Sequence, residues 1–178
     1  MNRLNIIIRP MKLTDLNEVV HLHLKAFPGF FLTNMGKNFL LELYKNFLRS
    51  DSSICLVAEN ENSIAGFAVG NLHPHVFFKK VLIRRGIVFL FYSLGALVKN
   101  PLYIANRLFY ALFYRGEQPV KISNAALLSS LGVNPENKNN GIGTKLISTF
   151  CKTAFSGGAS AVYLITDRMN NDETNLFY

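Results

Sequence analysis

The chain of 178 residues has only two cysteines, and its apolar runs are short. Its two cysteines, Cys55 and Cys151, exclude a disulfide-rich scaffold and predict buried free thiols in a reducing compartment. The apolar stretch at residues 4–8 is shorter than the core of a signal peptide, so we expect a cytoplasmic location. Residues 87–98 form a second apolar run, but a membrane-spanning helix needs about 20 apolar residues. These features favour one globular domain, residues 1–178, that can bury its own core.

Acidic residues are few and unevenly placed along the chain. The sequence has 11 Asp and Glu against 19 Lys and Arg, which gives a net charge of +8. No acidic residue lies between Asn62 and Gly116, whereas seven basic residues do: Lys79, Lys80, Arg84, Arg85, Lys99, Arg107 and Arg115. Apolar and aromatic residues separate these charges, and the pattern predicts a basic helical region at residues 73–118.

The most informative segment is residues 133–144, with the sequence Val-Asn-Pro-Glu-Asn-Lys-Asn-Asn-Gly-Ile-Gly-Thr. It follows an apolar run typical of a buried strand and precedes a segment whose apolar residues recur at helical spacing. The first amides of a helix have no internal partners, and Gly141 and Gly143 allow a ligand to approach the backbone. The segment therefore predicts a site for a phosphate or pyrophosphate.

Two alternatives for this glycine-containing turn are disfavoured by what surrounds it. A Walker-type nucleotide loop requires Gly-Lys-Ser/Thr, which does not follow Gly141 or Gly143. A doubly wound dinucleotide fold requires several more strands after the loop, and only one is predicted here.

The loop and two further segments carry a resemblance to a known family. Val-x-Pro-Glu-x-x-x-x-Gly-x-Gly after a strand resembles the acetyl-CoA pyrophosphate loop of the GNAT superfamily of N-acyltransferases, with Lys138 where that family usually has Arg or Gln. Downstream, Asn171, Phe177 and Tyr178 match the family pattern Asn-x-x-Ala-x-x-Phe-Tyr that follows its next strand. Near the start, Ile-Arg-Pro followed by Asp15 resembles the family's opening strand.

The resemblance implies an α/β (α+β) fold with a mixed, mostly antiparallel central sheet flanked by helices. The sequence itself predicts strands and helices in a compatible order: strands at residues 4–9, 54–59, 64–72, 121–133 and 161–166, and helices at 14–26, 35–49, 144–155 and from about 171. Relatives continue with a last pair of strands that a chain ending at Tyr178 lacks, and an open sheet edge favours a homodimer. The helical insertion at residues 73–118 lies between the third and fourth strands, where the family has a short turn.

The resemblance also implies roles for individual residues. Acetyl-CoA is the expected cosubstrate, with no metal. Backbone amides at the bulged end of the fourth strand, near Leu131 and Val133, are expected to polarise its thioester carbonyl. Gly132 lies between them in this coenzyme-binding segment, and we expect a bulge or a close backbone approach there. The residues expected to bind the coenzyme through the loop and the next helix are Lys138, Asn139, Asn140, Gly141, Ile142, Gly143, Thr144 and Asn171. Tyr178 matches the tyrosine that protonates the leaving thiolate. From the residues alone, an ordinary strand end, a helix N-cap at Asn171 and a core aromatic at Tyr178 remain alternatives.

The sequence leaves the general base open. Many relatives use a glutamate on the central strands, but residues 64–72 and 121–133 contain none. His73 and His75, after the third strand, have a suitable pKa range and are the candidate catalytic bases. Glu136 is a further candidate, although its place in the loop motif favours a structural role. An amine that arrives deprotonated would need no protein base.

The expected activity is acetyl transfer from acetyl-CoA to an amine of a small-molecule or sugar acceptor by direct attack in a ternary complex. The basic insertion has three interpretations: a helical cap, a wall that attracts a phosphorylated or nucleotide-linked acceptor, or a surface that docks on the inner membrane face near a lipid-linked acceptor. Nucleic acid is not expected as a partner. The alternatives are a non-catalytic acyl-CoA-binding module and a membrane-surface interaction protein.

Overall fold

The protein folds around one mixed β-sheet flanked by helices on both faces. The computed structural model describes residues 6–61, 63–99 and 122–165. The strands are β1 Ile6–Pro10, β2 Ser53–Asn60, β3 Ser63–Asn71, β4 Ala125–Val133 and β5 Ala161–Leu164. The helices are α1 Leu16–Ala26, α2 Phe31–Asn34, α3 Lys37–Leu48, α4 Pro74–Lys99 and α5 Ile142–Ser156.

The five strands lie side by side in chain order. The pairs β1–β2, β2–β3 and β3–β4 are antiparallel, and β4–β5 is parallel with α5 as the connection. A tight turn with Glu61 in the left-handed region joins β2 to β3. The central strand β3 is buried along almost its whole length, because helices cover both of its faces.

Two hydrophobic cores form on the two faces of this sheet. On one face, α1 and α3 pack on the sheet through side chains such as Val20, Leu40 and Phe47. On the other face, α5 packs through Leu146 and Phe150, which its helical period places on one side. Each core therefore joins segments that are distant in sequence.

The predicted fold class, a mixed and mostly antiparallel sheet flanked by helices, is confirmed. The boundaries differ by a few residues: β4 begins at Ala125, and α3 begins at Lys37 because Gly36, at φ 90, interrupts the helical path. The insertion begins as the predicted helix, α4. Its remainder at residues 100–118 and the helix expected from Asn171 lie outside the described residues. The short helix α2 was not expected from the sequence.

Both cysteines are free thiols and partly buried. Burial raises the pKa of Cys55 to about 12 and also raises the pKa of Cys151. Neither thiol is therefore activated as a nucleophile.

An ion-pair cluster ties the first strand to the first helix. The guanidinium of Arg9 donates two hydrogen bonds to Asp15 at 2.6 and 3.1 Å, and two to Glu59 on β2 at 2.7 and 3.1 Å. Asp15 also accepts a hydrogen bond from the backbone N–H of Lys12, which closes the turn before α1. Hydrogen bonding from Arg9 lowers the pKa of Asp15. This cluster gives a physical reason for an arginine and an aspartate at this spacing near the start of the chain.

We expect Arg9→Lys to lower the free energy of unfolding by about 1–2 kcal/mol, because an ammonium cannot bond two carboxylates bidentately. Arg49→Lys, at an exposed position just after α3, is the matched control and should change stability by less than about 0.5 kcal/mol. Denaturant unfolding at neutral pH measures both. Equal effects of the two substitutions would contradict a structural role for the Arg9 cluster.

Candidate active site

A single extra residue in β4 changes its register against β3. Leu127 and Leu128 pair with Asn71 and Gly70, but the pairing resumes at Ser130 with Val69, so Ser129 has no partner on β3. This irregularity is a β-bulge, and such bulges re-aim the groups that follow them. The sequence suggested a bulge or a close backbone approach at Gly132. The bulge instead lies three residues earlier.

The register after the bulge fixes the direction of the β4 amides. The N–H of Asn134 donates to Ala65 O on β3 at 2.8 Å. Because successive amides of a strand point to opposite edges, the N–H groups of Val133 and Leu131 point away from β3. They therefore face the edge of β4 on the side of β5.

The neighbouring strand β5 does not cover that edge. β5 pairs with β4 only over Ala125 to Leu128, where Leu128 lies opposite Leu164. In the part of the chain that the structure describes, no strand pairs with β4 beyond this point. A ligand with hydrogen-bonding groups along an extended arm can therefore reach the amides of Leu131 and Val133.

Gly132 lies between these two amides, and close packing leaves no room for a side chain at this position. A Cβ added there would come within 2.5 Å of the ring of Phe67 and 3.2 Å of the ring of Phe27. The close approach that the sequence suggested at Gly132 is therefore an approach of aromatic rings from the α1 face. These rings hold the backbone of Leu131 to Val133 against the sheet.

The loop after β4 is built from short polar turns. The side chain of Asn134 accepts a hydrogen bond from the N–H of Glu136, and Asn137 N–H donates to Asn134 O at 2.8 Å. Asn139 and Gly141 both adopt left-handed backbone, at φ 64 and φ 70. These two positions turn the chain directly into the start of α5.

The N-terminus of α5 is well suited to an anion. Gly141 is its N-cap residue, and no side chain caps the helix among the described residues. The first amide that bonds within the helix is Lys145 N–H, to Gly141 O at 3.0 Å, which leaves the amides of Ile142, Gly143 and Thr144 without helical partners. Within the described part of the chain, nothing lies within 4 Å of the position of a Cβ on Gly141, so these residues leave this end of the helix open. These residues fit the pyrophosphate expected from the sequence.

Gly66 on β3 allows this helix end to lie close to the strand edge. A Cβ there would meet Leu146 Cδ1 at 3.0 Å, and Gly132 O and Ile142 Cγ2 at 3.1 Å. The first turn of α5 therefore packs directly over the end of β4. The open amides of the strand and those of the helix thus form one continuous edge.

Glu136 has a structural partner. Lys25 at the end of α1 donates to its carboxylate at 2.7 Å across 111 residues of sequence. This hydrogen bond lowers the pKa of Glu136, which makes it a weaker base. The geometry thus favours the structural role that the loop motif suggested for Glu136.

The structure does not bring His73 and His75 to the loop. Both are exposed and follow β3, whose last residue Asn71 lies opposite Leu127. At about 3.3 Å per residue, Leu127 lies roughly 20 Å from Val133 along the strand. Asn171 and Tyr178 lie outside the described residues.

A buried polar chain beneath β4 was not expected from the sequence. His23 on α1 and Tyr44 on α3 share a hydrogen bond of 2.7 Å, and Tyr44 also bonds the side chain of Ser130, the first residue after the bulge. His23 is 3% exposed, and its Nε2 has no hydrogen-bond partner among the residues that the structure describes. The one sequence signal was a histidine within the apolar face of a predicted helix. Its partner 21 residues away could not be identified from the sequence.

The comparisons with known proteins agree with this geometry. Residues 108–178 match the model of the Acetyltransferase (GNAT) family. Aminoglycoside N-acetyltransferase AAC(6')-Iy in complex with CoA shares the fold with a TM-score of 0.63 and 16% identity, over 97% of this chain and 84% of that one. The Thermoplasma acidophilum PaiA N-acetyltransferase in complex with coenzyme A has a TM-score of 0.60 and 16% identity, over 98% of this chain and 87% of that one. The aminoglycoside 6'-N-acetyltransferase AAC(6')-IG from Acinetobacter haemolyticus has a TM-score of 0.62 and 11% identity, over 96% of this chain and 86% of that one.

The family match begins at residue 108 and covers less than half of the chain. The similarity to these solved structures, at 16% identity or less, shows that the fold is shared. No curated protein sequence matches the chain.

We expect the stability of the protein to fall between about pH 7.5 and about pH 5 because of His23. Burial lowers the pKa of His23 to about 4, so the folded protein keeps it neutral, whereas the unfolded chain protonates it near the ordinary value of 6.5. Its contribution is therefore fully present above pH 6.5 and is lost as the pH falls toward 4. The loss in this window is about 2 kcal/mol.

Denaturant unfolding of His23→Gln and His21→Gln across this pH range tests the assignment. The His23 variant should show a much flatter pH dependence, because its side chain cannot be protonated in the unfolded state. His21 lies on the exposed side of the same helix, so its variant should retain the wild-type slope. An unchanged slope in the His23 variant would refute the prediction.

Proposed function

We propose that the protein transfers an acetyl group from acetyl-CoA to an amine of a small-molecule acceptor. The observation that carries this proposal is the continuous open edge formed by the amides of Leu131 and Val133 and the uncapped start of α5. An extended amide-containing arm that ends in a pyrophosphate is complementary to both parts of this edge. Coenzyme A has that arrangement, and several of the similar structures contain it or an analogue built on it.

The residues proposed to hold the coenzyme divide into two groups. The strand amides of Leu131 and Val133 would donate to the carbonyl oxygens of the thioester and of the pantetheine arm. The loop and the first turn of α5 would surround the pyrophosphate: Lys138, Asn139, Asn140, Gly141, Ile142, Gly143 and Thr144. Asn171 is proposed to contact the pantetheine arm, as the family resemblance implies.

The proposed chemistry is a direct transfer within a ternary complex. The nitrogen of the free amine forms a bond to the acyl carbon, the carbon–sulfur bond breaks, the nitrogen loses one proton to solvent and the sulfur gains one. The products are an amide and the free thiol of coenzyme A. A preorganised amide aimed at the carbonyl oxygen stabilises the negative charge that develops there. In comparable sites such an amide lowers the activation free energy by about 3 kcal/mol. Tyr178 is proposed to give the proton to the departing sulfur.

The amine must lose a proton before or during the attack. Neither β3 nor β4 carries an acidic side chain. Because Glu136 is engaged by Lys25 and the two candidate histidines follow the far end of β3, we propose that the acceptor binds as the free amine. His73 or His75 would act as the base only if the acceptor extends along β4 toward Leu127.

An amino sugar is the acceptor class that the comparisons favour. Several of the similar structures are described as aminoglycoside N-acetyltransferases, one of them in complex with trehalose. The net charge of +8 and the basic residues of α4 would attract a sugar that carries phosphate or a nucleotide. A cytoplasmic location and a homodimer stay predictions from the sequence.

The first test is coenzyme binding by two variants of the loop glycine. Asp and Asn have nearly the same shape, and both tolerate the left-handed backbone that Gly141 adopts. Only the carboxylate repels a pyrophosphate, so Gly141→Asp should bind CoA at least about tenfold more weakly than Gly141→Asn, or about 1.4 kcal/mol. Calorimetric titration measures both dissociation constants.

Gly158→Asp is the matched control for this experiment. Gly158 also has a positive φ, 89, and no described residue lies within 4 Å of its Cβ position, but it follows the opposite end of α5. Its variant should bind CoA like the wild type. Equal affinities of the Asp and Asn variants at Gly141 would place the pyrophosphate elsewhere.

The second test separates an enzyme from a coenzyme-binding module. Tyr178→Phe should lower kcat by about 10²-fold, the typical contribution of a general acid, and leave the dissociation constant of acetyl-CoA unchanged. Release of the free thiol during turnover with amino-sugar acceptors measures kcat, and Tyr92→Phe on α4 is the control. Coenzyme binding without thiol release by the wild-type protein for any amine would favour the binding module.

A further inference from the structure

The helix α4 is firmly oriented by contacts on its inner side. Phe77 stacks on Phe47 of α3 with ring centroids 4.3 Å apart, and Phe89 contacts Phe39 at 4.8 Å. Arg85 forms an ion pair with Glu42 of α3 at 3.3 Å. These contacts determine which residues of α4 point away from the protein.

The outer face of α4, defined as Ile83, Ile87, Leu90, Phe91 and Leu94, is apolar although it is exposed. The exposed fractions are 74% for Ile83, 85% for Ile87 and 67% for Phe91. Ile83, Ile87, Leu90 and Leu94 follow each other at intervals of four, three and four residues, so they form one stripe along the helix. A helix packed on a soluble domain normally presents polar residues there, and large continuous apolar patches mark interaction sites.

Positive charges border this stripe. Lys79, Lys80 and Arg84 are exposed near its N-terminal end, and no ion pair engages them within residues 6–61, 63–99 and 122–165. α4 itself contains no acidic residue. A partner must therefore offer both an apolar phase and negative charge.

This combination disfavours a second copy of the chain. A symmetric contact would pair α4 with α4 of the other copy, and neither helix carries a carboxylate that could neutralise Lys79, Lys80 and Arg84. A nucleic acid would neutralise the charges but leave the isoleucines in water. An anionic bilayer satisfies both requirements, since its headgroups attract the cations and its acyl boundary receives the apolar side chains.

We propose that the outer face of α4 docks on an anionic membrane surface, with the helix lying in the plane of the interface. Among the described residues, no helix is long and apolar enough to cross a bilayer. Ile83, Ile87 and Phe91 would enter the boundary between headgroups and acyl chains, while Lys79, Lys80 and Arg84 would stay at headgroup level. This inference does not depend on the proposed catalysis, because it uses neither the β4 edge nor the loop. It assigns the exposed basic residues of α4 to lipid headgroups instead of to a phosphorylated acceptor.

The absence of tryptophan from the chain permits a direct test. Phe91→Trp places one fluorophore on the outer face of α4, and Phe155→Trp places one on α5, where Phe155 is also exposed at 53%. The full-length variants are mixed with phosphatidylcholine vesicles that contain about one third phosphatidylglycerol, or none. The emission of the Phe91→Trp variant should shift to shorter wavelength with the anionic vesicles only, and the shift should disappear at high salt. The emission of the Phe155→Trp variant should stay unchanged with either vesicle.

Two pairs of substitutions in vesicle co-sedimentation identify the contributing groups. Ile87→Glu should weaken partitioning about tenfold without changing the melting temperature, whereas Ile7→Glu, at an exposed apolar site on β1, should have no effect. Lys79→Gln with Lys80→Gln should also weaken it about tenfold. The control pair, Lys37→Gln with Lys152→Gln on α3 and α5, should weaken it less.

Three results would overturn the proposal. The first is that wild-type protein does not bind the anionic vesicles. The second is that Ile87→Glu lowers the melting temperature and leaves vesicle binding unchanged, which would mean that the protein itself covers this face. The third is that sedimentation velocity finds a dimer that Ile87→Glu dissociates while no vesicle binding occurs, which would identify a second copy as the occupant.

Discussion

Helices cover both faces of β4, but part of its edge has no strand partner among the described residues. The amides along that edge need other hydrogen-bond acceptors, and the arrangement of the candidate site depends on this need. β5 leaves β4 after Leu128, so the N–H groups of Leu131 and Val133 have no described strand partner. Water can meet this need, but an extended ligand with carbonyl groups meets it with less loss of order per bond. Gly66 and Gly132 lie beside this edge on opposite faces of the sheet. Gly66 leaves room for the side chains of α5, and Gly132 leaves room for the ring of Phe67.

Local patterns explain why much of the fold was predictable. The five strands and the helix after the loop are each specified by their own apolar period, and the loop is specified by glycines that precede a helix. The anion site could be predicted because strand, turn and helix are consecutive in sequence. Its orientation relative to the edge amides depends on the packing of Ile142 and Leu146 over Gly66, which the sequence does not display.

Apart from the short helix α2, the features that escaped prediction join residues distant in sequence. The bulge at Ser129 is defined by the pairing of β4 with β3, so the sequence of β4 alone does not predict it. The contact between Lys25 and Glu136 spans 111 residues, and the bond between His23 and Tyr44 joins two helices. A histidine in an apolar face reads as either a core residue or a functional one until its partner is known. Here the partner connects it to Ser130, beneath the strand that carries the candidate site.

The bulge at Ser129 means that the number of residues in β4 matters as much as their identity. Ala126 and Leu128 point into the α5 core before it, and Leu131 and Val133 point into the same core after it, although an uninterrupted strand would alternate their faces. A regular strand with Ser129 in place would put Leu131 and Val133 on the other face and turn the amides now at the open edge toward β3. Ser129 is one residue more than the pairing with β3 uses, and the bulge accommodates it. Deletion of Ser129 would therefore join the two halves of β4 in a regular ladder and keep the face of every other residue.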